Sequence, residues 1–223
     1  EMRESDWSSD VCSSDLIFLY LYKKNEIQGS EQEKGDIMVS LRRSCIMNVM
    51  CILTDGFEEL EAVGTIALLR RAGIRIDVYA IDHTAATGRF DITISNLADV
   101  KDVNTADYDM LFLPGGPHYQ KLEADERVLS ILKDFMDQGK LVSAICAAPT
   151  ILGRQGYLKG RKYTCFTSMN EDFGGTYVDQ YAVIDGTIIT GRSAAAVIDF
   201  AFAIIEKLEG RKKAEDVKAS IYY

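Results

Sequence analysis

The residue best placed to do chemistry is Cys146, at the junction of a predicted strand and a predicted helix. The apolar run Leu141 to Ile145 leads into it, and two alanines and Pro149 follow. A lone cysteine is more often an inert core residue, but this pattern is typical of a nucleophile elbow, a tight turn that presents a reactive side chain above a sheet edge. Proline suits the first turn of the helix that follows. We expect the positive end of that helix to lower the pKa of the thiol.

Two other segments follow predicted strands and carry groups that could act with a thiol. Leu113-Pro114-Gly115-Gly116 is usually only a turn, but paired glycines let backbone N–H groups approach a developing oxyanion. Acidic residues at a helix start normally complement the helix dipole, which fits Glu58 and Glu59. Glu61 lies ahead of the predicted apolar stripe and is expected to point into the cleft. Ligands of open α/β sheets bind beyond the carboxyl ends of the strands, where all three segments fall.

Composition excludes several classes of function. The 223 residues suffice for one domain, and the net charge of -9 argues against binding nucleic acid or anionic lipid. Five cysteines form no CxxC pair and there are only two histidines, so we expect no metal site and free thiols in a reducing, cytoplasmic compartment. The apolar stretch Leu16 to Tyr22 is too short to span a bilayer and follows an acidic segment, unlike a signal peptide.

The chain divides at its amino-terminal end. Residues 1–46 contain a near-repeating Ser-Asp run and a polar, Gly-containing stretch without a sustained period. We interpret them as a disordered or artefactual N-terminal extension without a function. The folded domain is predicted to occupy residues 47–223.

Strands and helices alternate within that domain. Strands are predicted at 49–53, 74–81, 110–113 and 141–145, with a hairpin at 183–190 around Asp185-Gly186. Helices are predicted at 59–72, at 125–138, after Cys146, and from Val197 to Leu208. The first is expected to face inward with Leu60, Val63, Ala67 and Leu68. The second is expected to face inward with Val128, Ile131, Leu132 and Phe135. Such alternation predicts an α/β sandwich with a parallel sheet covered on both faces.

Four motifs in this order resemble the DJ-1/ThiJ/PfpI family over about Asn48 to Ile221: Gly-Phe-Glu-Glu-Leu-Glu-Ala, Arg-Arg-Ala-Gly, Leu-Pro-Gly-Gly and Ala-Ile-Cys-Ala-Ala-Pro. The resemblance implies a flavodoxin-like three-layer sandwich with a mostly parallel central sheet, as in class I glutamine amidotransferases, commonly a homodimer. It implies Cys146 as nucleophile with Glu61 as its partner. The turn at Gly115 and Gly116, with Ala147, would bind the oxyanion through the N–H groups of Gly116 and Ala147. Arg71 and Arg192 match positions that line or support the pocket.

The sequence also departs from the family pattern. Ala147 stands where protease-like branches carry histidine, and no late His-x-Glu pair supports an amidotransferase. Phe166 stands where animal members have a histidine near the pocket. His118 is a speculative substitute, although a solvent-facing loop histidine is the more ordinary interpretation. Cys165 is either a second thiol near the site or a packing residue.

Three functions remain open. The first is a cofactor-independent glyoxalase III or deglycase type of enzyme, in which Cys146 forms a hemithioacetal with a small α-oxoaldehyde such as methylglyoxal, or with glycated amino groups, and Glu61 shuttles protons. The second is a redox-sensing stress protein or chaperone that works through oxidation of Cys146. The third is a family member with a substrate that the sequence does not reveal.

Overall fold

A computed structural model describes residues 47–223, so the interpretation of residues 1–46 lies outside it. The strands are β1 (Asn48–Leu53), β2 (Arg75–Ala80), β3 (Ala85–Thr87), β4 (Thr93–Ser95), β5 (Ala98–Asp99), β6 (Met110–Leu113), β7 (Leu141–Ile145), β8 (Lys162–Tyr163), β9 (Thr176–Tyr177), β10 (Ala182–Asp185) and β11 (Ile188–Gly191). Seven of them form the central sheet in the order β10-β11-β7-β6-β1-β2-β5. All neighbours in it are parallel except β10 and β11, which form the predicted hairpin.

The helices are α1, which starts as a π turn (Leu60–Gly64) and continues as α-helix (Thr65–Arg71), α2 (Tyr119–Ala124), α3 (Glu126–Asp137), α4 (Pro149–Arg154), α5 (Val197–Glu209) and α6 (Arg211–Ser220). Helices α1, α5 and α6 share one apolar core with one face of the sheet. Helices α3 and α4 share a second core with the other face. The three-layer, mostly parallel α/β sandwich is therefore confirmed.

Strand register brings the candidate segments together. Leu113 at the end of β6 pairs with Ala144 of β7, and Gly191 at the end of β11 pairs with Ile145. Because these strands are parallel with β1, the chain leaves all four at the same edge of the sheet. Residues of the segments that follow them can therefore meet there.

The inward face of α1 differs from the prediction. Leu60 is 55% exposed, Val63 is 42% exposed, and Ala67 is also exposed. The buried positions are instead Glu61, Ala62, Thr65, Ile66 and Leu69. The predicted stripe was wrong in its position on the helix and not in its period, because the buried residues keep the helical spacing of three and four but start from Glu61 and Ala62 instead of Leu60.

Elsewhere the main elements agree with the sequence, whereas short ones were missed. Helix α3 buries its predicted residues Val128, Ile131, Leu132 and Phe135. The hairpin β3–β4, the two-residue strands and α6 were not predicted, because three residues or fewer carry no readable period and α6 is mostly polar.

Among residues 47–223, no helix is long and apolar enough to cross a bilayer. Their His, Cys, Asp and Glu side chains also form no group of three or more that could hold a metal ion.

Candidate active site

The backbone of Cys146 is held in a strained turn between β7 and α4. Its φ of 63° lies in the left-handed region, which non-glycine residues rarely adopt and which is common at functional sites. Its N–H donates to the Gly191 carbonyl at 2.9 Å, and its carbonyl accepts the Phe166 N–H at 2.8 Å. These contacts hold the elbow, while the side chain stays half-buried and reachable.

Glu61 reaches the thiol from α1. Its side chain is fully buried, and Oε2 accepts the Gly115 N–H at 3.0 Å. An interaction with the Cys146 side chain acts on the pKa of this carboxyl, and the second carboxyl oxygen, Oε1, is buried without a hydrogen-bond partner. The predicted inward direction of Glu61 agrees with this geometry.

Electrostatics couple the two groups. Burial raises the pKa of Glu61 to about 7, and the nearby Glu58 charge adds to this, while the thiol, the Gly115 N–H and Arg89 act in the opposite direction. Burial also raises the pKa of the Cys146 thiol, and the Glu61 carboxylate raises it further, whereas the Ala147 N–H lowers it. The expectation of a lowered thiol pKa was therefore wrong: the thiol is buried beside a carboxylate, and α4 has only six residues.

The glycine turn after β6 requires its glycines. A Cβ on Gly115 would lie 2.4 Å from Glu61 Oε2 and 2.7 Å from the Cys146 Cβ. Gly116 has a φ of 101°, and a Cβ there would lie 2.5 Å from the Glu58 nitrogen. The Gly115 N–H is bonded to Glu61, so Gly116 and Ala147 are left as the candidate oxyanion donors of this site.

His118 is placed differently from both earlier interpretations. It is completely buried, and its Nδ1 accepts the Thr54 N–H at 3.3 Å. Since Nδ1 accepts, the other ring nitrogen carries the proton and donates to the Pro114 carbonyl at 2.9 Å. With both ring nitrogens bonded to backbone, His118 neither faces solvent nor is free to contact a substrate. Burial lowers its pKa to about 4.

The remaining predicted pocket residues divide into two near the site and one away from it. Phe166 is bonded to the Cys146 carbonyl through its backbone and is 43% exposed. Arg192 follows Gly191, donates to Asp179 at 2.6 Å and lies over the Tyr181 ring. Arg71 is exposed ten residues after Glu61 on α1, about 15 Å further along the helix axis. It is therefore not brought to Cys146 within one chain.

Sequence reasoning missed Arg89, and it left open whether Cys165 lies near the thiol or packs in the core. Arg89 follows the short strand β3, its N–H donates to the Phe57 carbonyl at 2.8 Å, and its charge acts on Glu61. A three-residue strand gave no signal that could have placed it. Cys165 is fully buried in the second core, which confirms it as a packing residue.

Comparisons with known proteins agree with this architecture. The sequence profile of the DJ-1/PfpI family matches residues 47–207. Drosophila melanogaster dj-1beta is 31% identical over 175 residues, covering 76% of this chain and 94% of that protein. Its crystal structure superposes with a TM-score of 0.74 over 79% of this chain and 97% of that one.

Of two other relatives, one carries a different name and the other is a longer protein. A Thermococcus kodakarensis protein named deglycase is 30% identical over 149 residues, 66% of this chain and 90% of its own length. Arabidopsis thaliana DJ-1 homolog B is 32% identical over 171 residues, 74% of this chain, and this chain spans only 39% of its length.

Proposed function

Because the chain belongs to the DJ-1/PfpI family, we propose that it is a cofactor-independent cysteine enzyme that converts small α-oxoaldehydes such as methylglyoxal into hydroxy acids. The observation that carries the proposal is the Cys146 thiol on a strained turn beside the buried Glu61 carboxyl, whose pKa is about 7. A base with this pKa is well matched to proton transfer near neutral pH. The deglycase name of archaeal relatives supports the same class of substrate, including glycated amino groups.

The first step forms a hemithioacetal. Cys146 Sγ bonds to the aldehyde carbon while the Glu61 carboxylate takes the thiol proton, so no free thiolate is required beforehand. The former carbonyl oxygen becomes negative and lies where the Gly116 and Ala147 N–H groups can donate to it. Glu61 then returns the proton to this oxygen and is again a carboxylate.

The second step moves hydrogen between two carbons. Glu61 removes the proton from the carbon that bears sulfur, and the hydroxyl proton passes to the neighbouring ketone oxygen through the enediol that forms. Glu61 then returns its proton to the former ketone carbon, which leaves a thioester of the hydroxy acid. Water cleaves the thioester and restores the thiol, so the sum is methylglyoxal plus water giving lactate. One carbon is oxidised as its neighbour is reduced, and the balance therefore needs no redox cofactor.

Phe166 and Arg192 complete the proposed substrate pocket. The exposed Phe166 ring supplies an apolar wall for the methyl group, and the Arg192 guanidinium supplies a positive charge for the developing carboxylate. The ion pair with Asp179 and the contact with Tyr181 hold that guanidinium in place. The thiol-dependent chemistry suits a reducing, cytoplasmic compartment.

The test is lactate formation from methylglyoxal, without amines or free thiols in the buffer, by the wild type and by Cys146→Ala and Glu61→Gln. Both variants should lose at least about 100-fold in rate. Cys165→Ala is the matched control, since that thiol lies in the core, and should keep its activity. No lactate from a folded wild type would refute the proposed reaction and favour the redox-sensing alternative.

We also propose a homodimer built on the exposed face of α1. Leu60 and Val63 leave apolar surface in solvent on the helix that carries Glu61, and such a patch commonly marks an interface. Analytical ultracentrifugation should show a dimer that Leu60→Asp weakens. A monomeric wild type at micromolar concentration would contradict this assembly.

A further inference from the structure

Glu58 contacts both halves of the proposed site without contacting the thiol. Its N–H donates to the Gly115 carbonyl at 2.9 Å, which holds the glycine turn after β6. Its Oε2 accepts the Glu61 N–H at 2.8 Å, which holds the first turn of α1. A Cβ on Gly116 would lie 2.5 Å from the Glu58 nitrogen, so the two segments are in tight contact.

The charges around the site come from separate elements. Glu58 and Glu61 belong to the segment after β1, Cys146 to the elbow after β7, and Arg89 to the turn after β3. Arg192, after β11, is paired with Asp179. Glu59 points away from the pair, because its Oε1 accepts the Phe90 N–H at 2.6 Å.

We propose that Glu58 is a positioning residue of the Cys146–Glu61 pair, whose backbone fixes the glycine turn and whose negative charge keeps the shared proton on the pair. The proposal rests on the pairing of these two residues in the proposed function, but not on the identity of the substrate. A negative charge beside two acids disfavours loss of a proton from either one. The directions found for Glu61 and Cys146 agree, since the Glu58 charge raises the pKa of both.

A simple helix cap is the competing role for Glu58. An N-cap needs only an oxygen that accepts a backbone N–H. Glu58→Gln retains such an oxygen and removes the charge, so it separates the two roles. Glu59→Gln is the matched control, because it makes the same change one residue later on a side chain that faces the 88–92 turn.

The experiment measures the rate of Cys146 alkylation by iodoacetamide against pH, followed by intact mass on the full chain. Cys146→Ala identifies the signal of this thiol among the others. Glu58→Gln should move the midpoint of the pH profile down by roughly one pH unit, and Glu59→Gln should leave it in place. An unchanged midpoint in a folded Glu58→Gln protein, or an equal shift in Glu59→Gln, would overturn the proposal.

A second pair of variants covers the case in which Glu58→Gln does not fold. Glu58→Asp keeps the charge and should keep a midpoint close to that of the wild type, whereas Glu58→Ala should lower it. Equal midpoints for these two would also refute the role of the charge. Because alkylation does not use methylglyoxal, a midpoint shift without lactate formation would refute the substrate and leave this role of Glu58 standing.

Discussion

At the residue scale, the tightest packing in the site surrounds Gly115, where a side chain would have no room for its Cβ. The Glu61 carboxyl and the Cys146 side chain approach the same point from two elements, to 2.4 and 2.7 Å. A methyl group there would separate the acid from the thiol. Glycine is required at this position because of contact, whereas at Gly116 the positive φ adds a second reason.

We therefore expect Gly115→Ala to lower the rate of lactate formation by about 100-fold, the size of loss that a displacement near 1 Å can cause. Gly139→Ala is the control, because a Cβ there has nothing within 4 Å and Gly139 precedes β7, whose opposite end leads into the elbow. The control should lose about 1 kcal/mol of stability through its positive φ but keep its rate per folded molecule. Equal rates for Gly115→Ala and wild type would show that Glu61 and Cys146 need not be adjacent.

At the scale of elements, the orientation of α1 about its axis determines whether Glu61 faces the thiol. Glu61 lies in the π turn at residues 60–64 and is buried on the same inward side as Ala62 and Leu69. Leu69 is fully buried, whereas its neighbour Leu68 is only half-buried. The inward side of the helix can therefore be tested with two adjacent leucines.

Leu69→Ala should lower the free energy of unfolding by about 3 kcal/mol, since it leaves a cavity in the core. Leu68→Ala should cost below about 1.5 kcal/mol, because part of that side chain is already in water. Urea denaturation of both variants measures the difference. A larger loss for Leu68→Ala would restore the face predicted from the sequence and contradict the inward position of Leu69.

Comparison of the sheet with α1 and the site shows which parts of the structure could be predicted from the sequence. Six of the seven strands of the central sheet were predictable, because runs such as Met110 to Leu113 are apolar and end near glycine or proline, whereas the two-residue β5 was missed. The partnership of Glu61 with Cys146 followed from resemblance and from strand ends. The hydrogen bond from the Glu58 N–H to the Gly115 carbonyl joins two segments that are distant in sequence, and a period along one chain does not record such a contact. The burial of His118 was missed for the same reason, since its partners are Thr54 and Pro114.

At the scale of the whole molecule, the described residues 47–223 hold the seven strands of the central sheet given above and the proposed site residues. We expect a chain that begins at Met47 to keep the far-ultraviolet circular dichroism of its fold and its rate of lactate formation. The full chain serves as the reference at equal concentration. A truncated chain that unfolds would assign a structural role to residues 1–46.

Two buried groups give the stability of the molecule opposite responses to pH. Burial raises the pKa of Glu61 from 4.5 to about 7, so the folded state binds the proton more tightly and stability falls as pH rises through this window. Burial lowers the pKa of His118 from 6.5 to about 4, so the unfolded state binds the proton more tightly and stability falls as pH drops through that window. Across its full pH window, each group changes the free energy of unfolding by roughly 3 kcal/mol. The two windows overlap.

The two effects should largely offset each other in the wild type between pH 4.5 and 6.5, and single substitutions should expose them. Glu61→Gln removes the acid that gains protons on folding, so its unfolding free energy should fall by about 3 kcal/mol between pH 7 and pH 4 as His118 resists protonation. His118→Asn removes the other group, so its stability should rise on the same acidification, from a lower starting value because buried hydrogen bonds are lost. Urea denaturation at half-unit pH intervals measures both slopes. Since only the slopes matter, a general loss of stability in either variant does not disturb the comparison, and slopes of the same sign would show that these two groups do not govern the pH response.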